Sequence, residues 1–283
     1  SIIRDTYKGD YMAKVMSFVT AFFILVPVVA PAIGKGVMGF FGWQAIFYLQ
    51  LILALVVCIW FWKRQPETLH PEYKIPFSSH IFVDGLKELV KYKETLAFTM
   101  ISGLITGSFL VYLSSSQHIF EDIYGLKEAF PLIFAGLSVS IGLSTFLNGT
   151  LVLKFGMRRL SLTALSIFSS VALIYVLLFW NSGNPDVAIL IGFLSLQFFC
   201  LGFMWGNFRS IAMEPIGHIA GIGAAITGFI STLLSIPIAA FVGSFIQKSV
   251  LPMFMGLAIC GMVSLAIFIL VRRRDSRRAK VMA

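Results

Sequence analysis

Long uncharged apolar runs alternate with short polar breaks along the whole chain. Eight of these runs hold roughly 20 residues or more, which is the length that an apolar helix needs to cross a bilayer. The pattern therefore predicts an all-α, polytopic membrane protein with eight transmembrane helices. The predicted spans are residues 12–34, 44–62, 96–115, 129–152, 160–180, 187–208, 219–246 and 250–271.

The breaks between the spans differ sharply in positive charge. When the basic break 153–159 is placed inside, all but three of the 22 Lys and Arg lie in or beside inner segments. The three exceptions are Lys35, Lys127 and Lys248. Because positive residues in short loops stay on the cytoplasmic side, we expect a multi-pass protein of the inner (plasma) membrane with both ends of this chain in the cytoplasm.

Composition agrees with this class of protein. The chain is 58% hydrophobic and 12% charged, whereas a soluble domain is typically about 25% charged. The net charge of +9 does not predict a nucleic-acid partner, because the cations cluster at the ends of apolar segments. The expected partner is the lipid bilayer.

One long polar segment, residues 63–95, divides the chain. It follows residues 1–62, which hold two spans, and precedes residues 96–283, which hold six spans and a basic tail. Phe82, Leu86, Leu89 and Val90 recur within it at helical spacing, which predicts a short amphipathic helix at the inner membrane surface. We interpret the segment as a cytoplasmic linker between two membrane bundles.

Two features of the spans suggest how helices meet or move. Pro27 and Pro31 stand one helical turn apart and are followed by Gly34, which favours a packing site or a hinge in the first span. The third and seventh spans carry small residues every three or four positions, such as Gly103 and Gly107. These small residues allow close helix packing, while the hydroxyl groups among them would also suit a water-filled path.

The chain shows no enzyme motif and no metal-ligand spacing, so we expect neither catalysis nor a cofactor or bound metal. No span carries an ionisable residue near its middle, so a proton-binding carboxylate is not expected in this chain. Uncharged polar and aromatic side chains are the remaining candidates for a substrate cavity, because an amide in hydrocarbon needs a partner. They are Phe22, Phe109, Tyr112, Asn148, Gln197, Trp205 and Asn207.

Several stretches resemble motifs of the drug transporters of the major facilitator superfamily. Residues 26–34 (VPVVAPAIG) are similar to the antiporter motif, with Ala30 in place of its first glycine. The loops around the fifth and sixth helices of that family resemble residues 3–7 (IRDTY), 12–17 (MAKVMS), 42–47 (GWQAIF) and 66–69 (PETL). Two further stretches resemble the bicyclomycin-resistance type of drug/proton antiporter. They are residues 114–120 (SSSQHIF) and 212–215 (AMEP).

The resemblance implies a twelve-helix fold of two six-helix bundles around a central cavity, with this chain supplying helices five to twelve. Residues 153–159 (LKFGMRR) then correspond to the second copy of the family's gating motif. Gly156, Arg158 and Arg159 match that motif, while Leu153 stands where the family has an Asp. That family places its proton-linked acids largely in the first half of its fold.

The function that the resemblance implies is proton-coupled efflux of drugs or other small lipophilic compounds by alternating access. Drug-like molecules and protons are the corresponding partners, and aromatic and amide side chains would bind the substrate. Two alternatives stay open: a metabolite uptake permease of the same fold, and a membrane assembly subunit that does not transport.

Overall fold

The computed structural model describes residues 26, 29–30, 33–66 and 79–282, and this part of the chain is helical without any β-strand. The all-α prediction is therefore confirmed. Residues 33–41 are helical, and helices α1 to α8 follow them. Their bounds are Gln44–Arg64, Ser79–Lys91, Lys93–Gln117, Phe130–Phe155, Met157–Phe179, Val187–Met213, Ala220–Gly243 and Leu251–Met282.

Seven helices of the described residues are long and apolar enough to cross a membrane. They coincide with seven of the eight predicted spans, and α2 (Ser79–Lys91) is the short helix within the predicted linker. The first predicted span, 12–34, lies outside the described residues except at 26, 29–30 and 33–34. The chain is thus a multi-span membrane protein, while the count of eight stays a prediction.

The chain divides into two units, and the first contains residues 33–66 together with 131–139. Its helix α1 has no buried residue. Large apolar side chains such as Phe47, Leu51 and Trp62 are exposed around it. A helix that is apolar on all sides cannot bury them against one core face, so its surroundings in the membrane must be apolar as well.

The second unit contains residues 78–130 and 140–283, and α3 lies at its centre. Helix α3 packs against α6, α7 and α8, and α5 packs against α6 and α8. A Cβ atom added at Gly103 would lie 2.9 Å from Leu234 of α7, and one at Gly107 would lie 3.2 Å from Ile238. The close-packing interpretation of these two glycines is therefore confirmed, because a side chain there would require Leu234 or Ile238 to shift.

With inner and outer sides as the positive charges of the chain predict them, the outer end of α3 differs from its prediction. Residues 116–128 are expected to form a loop, but α3 continues to Gln117 and a π-helix extends it over His118–Ile123. Two side-chain contacts four residues apart support this extension: Gln117 Nε2 donates to Glu121 at 3.2 Å, and His118 Nδ1 lies 2.7 Å from Asp122 Oδ2. Such pairs stabilise one more helical turn than hydropathy alone indicates.

The outer loops of this unit are tied to one another by polar contacts. His118 Nε2 lies 2.9 Å from the carbonyl oxygen of Gln247, and Asn184 Nδ2 donates to the carbonyl oxygen of Lys248 at 2.8 Å. The Tyr124 hydroxyl donates to the carbonyl oxygen of Pro185 at 2.8 Å. Burial raises the pKa of the Tyr124 phenol above its ordinary value, so the hydroxyl keeps the proton that it donates.

The inner break at 153–159 is shorter than predicted. Helix α4 ends at Phe155 and α5 begins at Met157, so Gly156 alone separates them. Its φ of +79° lies in a region that side chains with a Cβ rarely adopt. The predicted boundaries of this loop are therefore wrong, because a single glycine is sufficient to reverse the chain.

Candidate functional site

The inner end of the second unit carries a cluster of charges centred on Arg158. The Nη2 atom of Arg158 lies 2.5 Å from Glu94 Oε1 and 3.3 Å from Glu214 Oε2. Because Glu94 belongs to the first turn of α3 and Glu214 follows α6, one guanidinium connects the ends of α3, α5 and α6. Arg159, the next residue of the predicted gating loop, is exposed and makes no ion pair among the described residues.

An aromatic cluster joins α3 and α6 and includes three of the predicted cavity residues. The ring centroid of Phe109 lies 4.9 Å from that of Trp205 and 6.4 Å from that of Tyr112. Phe198 completes the cluster, 4.7 Å from Tyr112 in an edge-to-face arrangement. Tyr112 and Phe198 are buried, whereas Phe109 and Trp205 are half-buried. Within this cluster, Phe109 and Trp205 therefore offer the accessible aromatic surface.

Two of the predicted amides pair with each other. Asn148 of α4 donates to Asn207 Oδ1 at 3.2 Å, and Asn207 of α6 donates back to Asn148 Oδ1 at 2.8 Å. Asn207 also donates to the carbonyl oxygen of Phe203 at 2.9 Å. The pair satisfies amide groups that would be costly in an apolar environment, so it fastens α4 to α6 at this level.

The third predicted amide, Gln197, lies on a different side of α6. It is fully buried, and its Nε2 donates to the carbonyl oxygen of Phe168 of α5 at 3.0 Å. Its Oε1 has no hydrogen-bond partner within the residues that the structure describes. The structure therefore does not bring Gln197 together with the aromatic cluster, and its contact is one between helices.

A polar cavity of about 210 Å³ lies between α3, α6 and α7. It is lined by the hydroxyl side chains of Thr99, Ser102, Thr227 and Ser231. One cationic side chain, that of Arg209, also lines it. The Ser231 hydroxyl donates to the carbonyl oxygen of Thr99 at 3.1 Å. Both interpretations of the small-residue stripes thus find support at particular residues: Gly103 and Gly107 pack closely, and the hydroxyls line a cavity. Such a lining suits water or the polar end of a ligand.

The aromatic cluster and the polar cavity share helix faces. On α3, Ser102 and Phe109 are seven residues apart, and on α6, Trp205 and Arg209 are four residues apart. Residues at these spacings point to the same side of a helix. The arrangement therefore gives one continuous surface, aromatic at the level of Trp205 and polar with one positive charge toward the inner end.

Four predicted positions lie outside the described part of the second unit. Phe22, Pro27 and Pro31 lie outside the described residues. Gly34 lies in the helical stretch 33–41 and is half-buried, and an added Cβ would contact no described atom within 4 Å. The predicted hinge at these residues stays a prediction.

Comparison with known proteins identifies the family. The family model described as Major Facilitator Superfamily matches residues 1–240. The chain belongs to the major facilitator superfamily. The expected resemblance is confirmed, and the long apolar helices of the second unit are those of a major facilitator protein.

Individual relatives from the superfamily are distant but extend over most of the chain. An uncharacterized MFS-type transporter, YdgK of Bacillus subtilis, is 26% identical over 247 residues, covering 86% of this chain and 61% of that protein. The bicyclomycin resistance protein homolog of Haemophilus influenzae is 27% identical over 280 residues, 97% of this chain and 69% of that protein. Multidrug resistance protein MdtL of Vibrio parahaemolyticus is 24% identical over 278 residues, 96% of this chain and 67% of that protein. The chain thus spans about two thirds of the length of these relatives.

Sequence reasoning missed the acidic partners of Arg158. Glu94 precedes it by 64 positions and Glu214 follows it by 56, so no local motif connects them. The available signal was that both glutamates stand at predicted span ends on the inner side, where they meet the basic loop.

Proposed function

We propose that this protein exports drugs or other small lipophilic compounds in exchange for protons, and that it works by alternating access in the inner membrane. The observation that carries this proposal is the surface formed by Phe109, Trp205, Ser102 and Arg209. Two accessible aromatic rings bind a flat apolar molecule without demanding one shape. Relatives named for bicyclomycin and multidrug resistance support this class of substrate.

In this proposal residues 96–283 form the C-terminal six-helix bundle, residues 63–95 form a cytoplasmic linker, and residues 1–62 supply the last two helices of the N-terminal bundle. The positive charges favour an orientation with both ends of the chain in the cytoplasm. The proton-binding carboxylate belongs to the N-terminal bundle, since the described spans of the second unit place their acidic residues only near their ends.

The Arg158 cluster acts in this cycle as an inner brace. By contacting Glu94 and Glu214 it keeps the inner ends of α3, α5 and α6 together, so the bundle rocks as one body. In the family's gating motif an Asp stands at the position of Leu153. Here Glu94 and Glu214 supply the negative charge that this Asp would provide. Gly156 and Arg159 complete the gating loop, with Gly156 setting the tight turn.

Transport by the full-length gene product in membrane vesicles tests the proposal. In inverted vesicles energised with a proton gradient, a fluorescent lipophilic drug should accumulate, and an uncoupler should abolish the accumulation. Accumulation only in right-side-out vesicles would instead support an uptake permease. Absence of drug flux in either orientation, with the protein inserted, would support the assembly subunit.

The role of the aromatic surface is tested by Trp205→Ala. Loss of an aromatic contact of about 1 kcal/mol should raise the KM for the drug roughly fivefold. Trp180→Ala is the matched control, because Trp180 is 57% exposed just after α5 and outside the cluster. Equal kinetics for the two variants would refute the assignment of Trp205 to the drug site.

A further inference from the structure

A second cavity lies at the inner end of the unit, bounded by α5 and α8 rather than by α6 and α7. It measures about 280 Å³ and opens between the inner ends of α3, α5 and α8. Its exposed lining residues include Arg158, Arg159 and Arg272, and its buried lining residues include Phe98 and Phe268. The pocket thus combines a cationic rim with an aromatic floor, where the two rings meet edge-to-face at 5.1 Å.

Three arginines concentrate at the rim. Among the described residues that line the pocket, none is acidic. Arg158 already contacts Glu94 and Glu214, and within the described part of the chain Arg159 makes no ion pair. Three guanidinium groups at one mouth offer an anion several charged hydrogen-bond donors at once.

The groups at the mouth suit a phosphate. A guanidinium binds two phosphate oxygens with parallel hydrogen bonds. Helix α5 begins at Met157, beside the pocket, and has no side-chain cap. Its first amide groups therefore add the positive end of a helix dipole to the two arginines of its first turn.

The surroundings of the pocket favour a lipid over a soluble anion. Below the arginines the lining is apolar, with Leu162 and Val271 beside the two rings. The outward faces of α5 and α8 flanking it carry exposed apolar side chains, among them Ile167 at 42% and Leu270 at 66% exposure. A ligand that fits both parts needs a phosphate attached to an acyl chain.

We propose that this pocket binds the phosphate head group of an anionic phospholipid of the inner leaflet. The placement in the inner leaflet rests on the orientation given under the proposed function. The phosphate lies between Arg159 and Arg272, and the first part of an acyl chain lies against Phe268. A basic pocket between spans at the cytoplasmic side is a recognised setting for such head groups.

The test measures lipid binding to the full-length protein purified in detergent, so it does not depend on transport. Native mass spectrometry and thermal unfolding are followed while phosphatidylglycerol, phosphatidylcholine or inorganic phosphate is added. Phosphatidylglycerol should bind at one preferred site and raise the unfolding temperature, and the other two should not. Combining Arg159→Gln with Arg272→Gln should weaken this binding about 25-fold, at about fivefold per arginine.

Two further variants separate the pocket from general surface charge. Arg273→Gln removes the neighbouring exposed cation that does not line the pocket, and it should bind phosphatidylglycerol as the wild type does. Thr163→Trp fills the pocket without a change of charge and should weaken binding. Equal losses from Arg273→Gln and the double variant, or unchanged binding in Thr163→Trp, would overturn the proposal, as would equal stabilisation by inorganic phosphate.

Discussion

Replacement of Gly202 by Ala probes the contact between α4 and α6 most directly. A Cβ atom at this position would lie 2.6 Å from the carbonyl oxygen of Ile141 and 3.0 Å from the amide nitrogen of Thr145, and it would also meet the Ser144 hydroxyl. The first two atoms belong to the backbone of α4, so they cannot rotate away. The helices must separate by about 0.8 Å at this point to restore ordinary van der Waals contact.

The separation has a cost that follows from the neighbouring contacts. Overpacking of a tightly packed site costs about 1–3 kcal/mol, while alanine is favoured over glycine in a helix by about 1 kcal/mol. Asn148 and Asn207 hydrogen-bond about one turn further along the same interface. We therefore expect Gly202→Ala to destabilise the protein by up to about 2 kcal/mol, measured by unfolding in detergent micelles.

Gly206→Ala provides the control, because a Cβ there meets no described atom within 4 Å. This variant lies on the same helix and changes the same atoms, so it should be as stable as the wild type or slightly more stable. If Gly202→Ala unfolds at the same temperature as Gly206→Ala, then α4 and α6 do not approach at this distance and the packing argument is refuted.

Two further predictions concern polar contacts between helices. Asn148→Leu should cost about 1 kcal/mol, because it leaves the buried Asn207 carbonyl oxygen unsatisfied. Adding Asn207→Leu should recover part of that loss, and additive unfolding energies in this double-mutant cycle would contradict the pairing. Arg158→Gln should lower stability by at most about 1 kcal/mol, since its carboxylate partners are partly exposed. Most of that loss should disappear at high salt or in a Glu94→Gln background, and a loss insensitive to both would show that Arg158 acts by packing alone.

The spans and their order could be predicted from the chain because the signal is local. A run of about 20 apolar residues forms a helix in a membrane independently of the helices that pack against it, since its backbone groups have no other hydrogen-bond partners. The errors lie at the span ends, where short-range contacts decide. Gln117 and His118 extend α3 with their i,i+4 partners, and Gly156 alone replaces a seven-residue loop.

The candidate site was only partly predictable. Phe109, Tyr112 and Trp205 were selected as aromatic residues in spans, and they do meet. Gln197 was selected by the same reasoning, yet it contacts α5 rather than the aromatic cluster. Many of these helices are apolar on most faces. The sequence pattern of one helix therefore does not show which of its faces contacts which neighbouring helix.

The class of protein, the positions of seven spans and the family follow from the sequence alone, because apolar length and short motifs are properties of contiguous residues. Which polar groups satisfy one another is visible only in the packed helices. Asn148 pairs with Asn207 across 59 positions, and Arg158 reaches Glu214 across 56. Such pairs depend on the rotation and spacing of packed helices, and these are set by glycine contacts such as Gly103 against Leu234, which no local pattern contains.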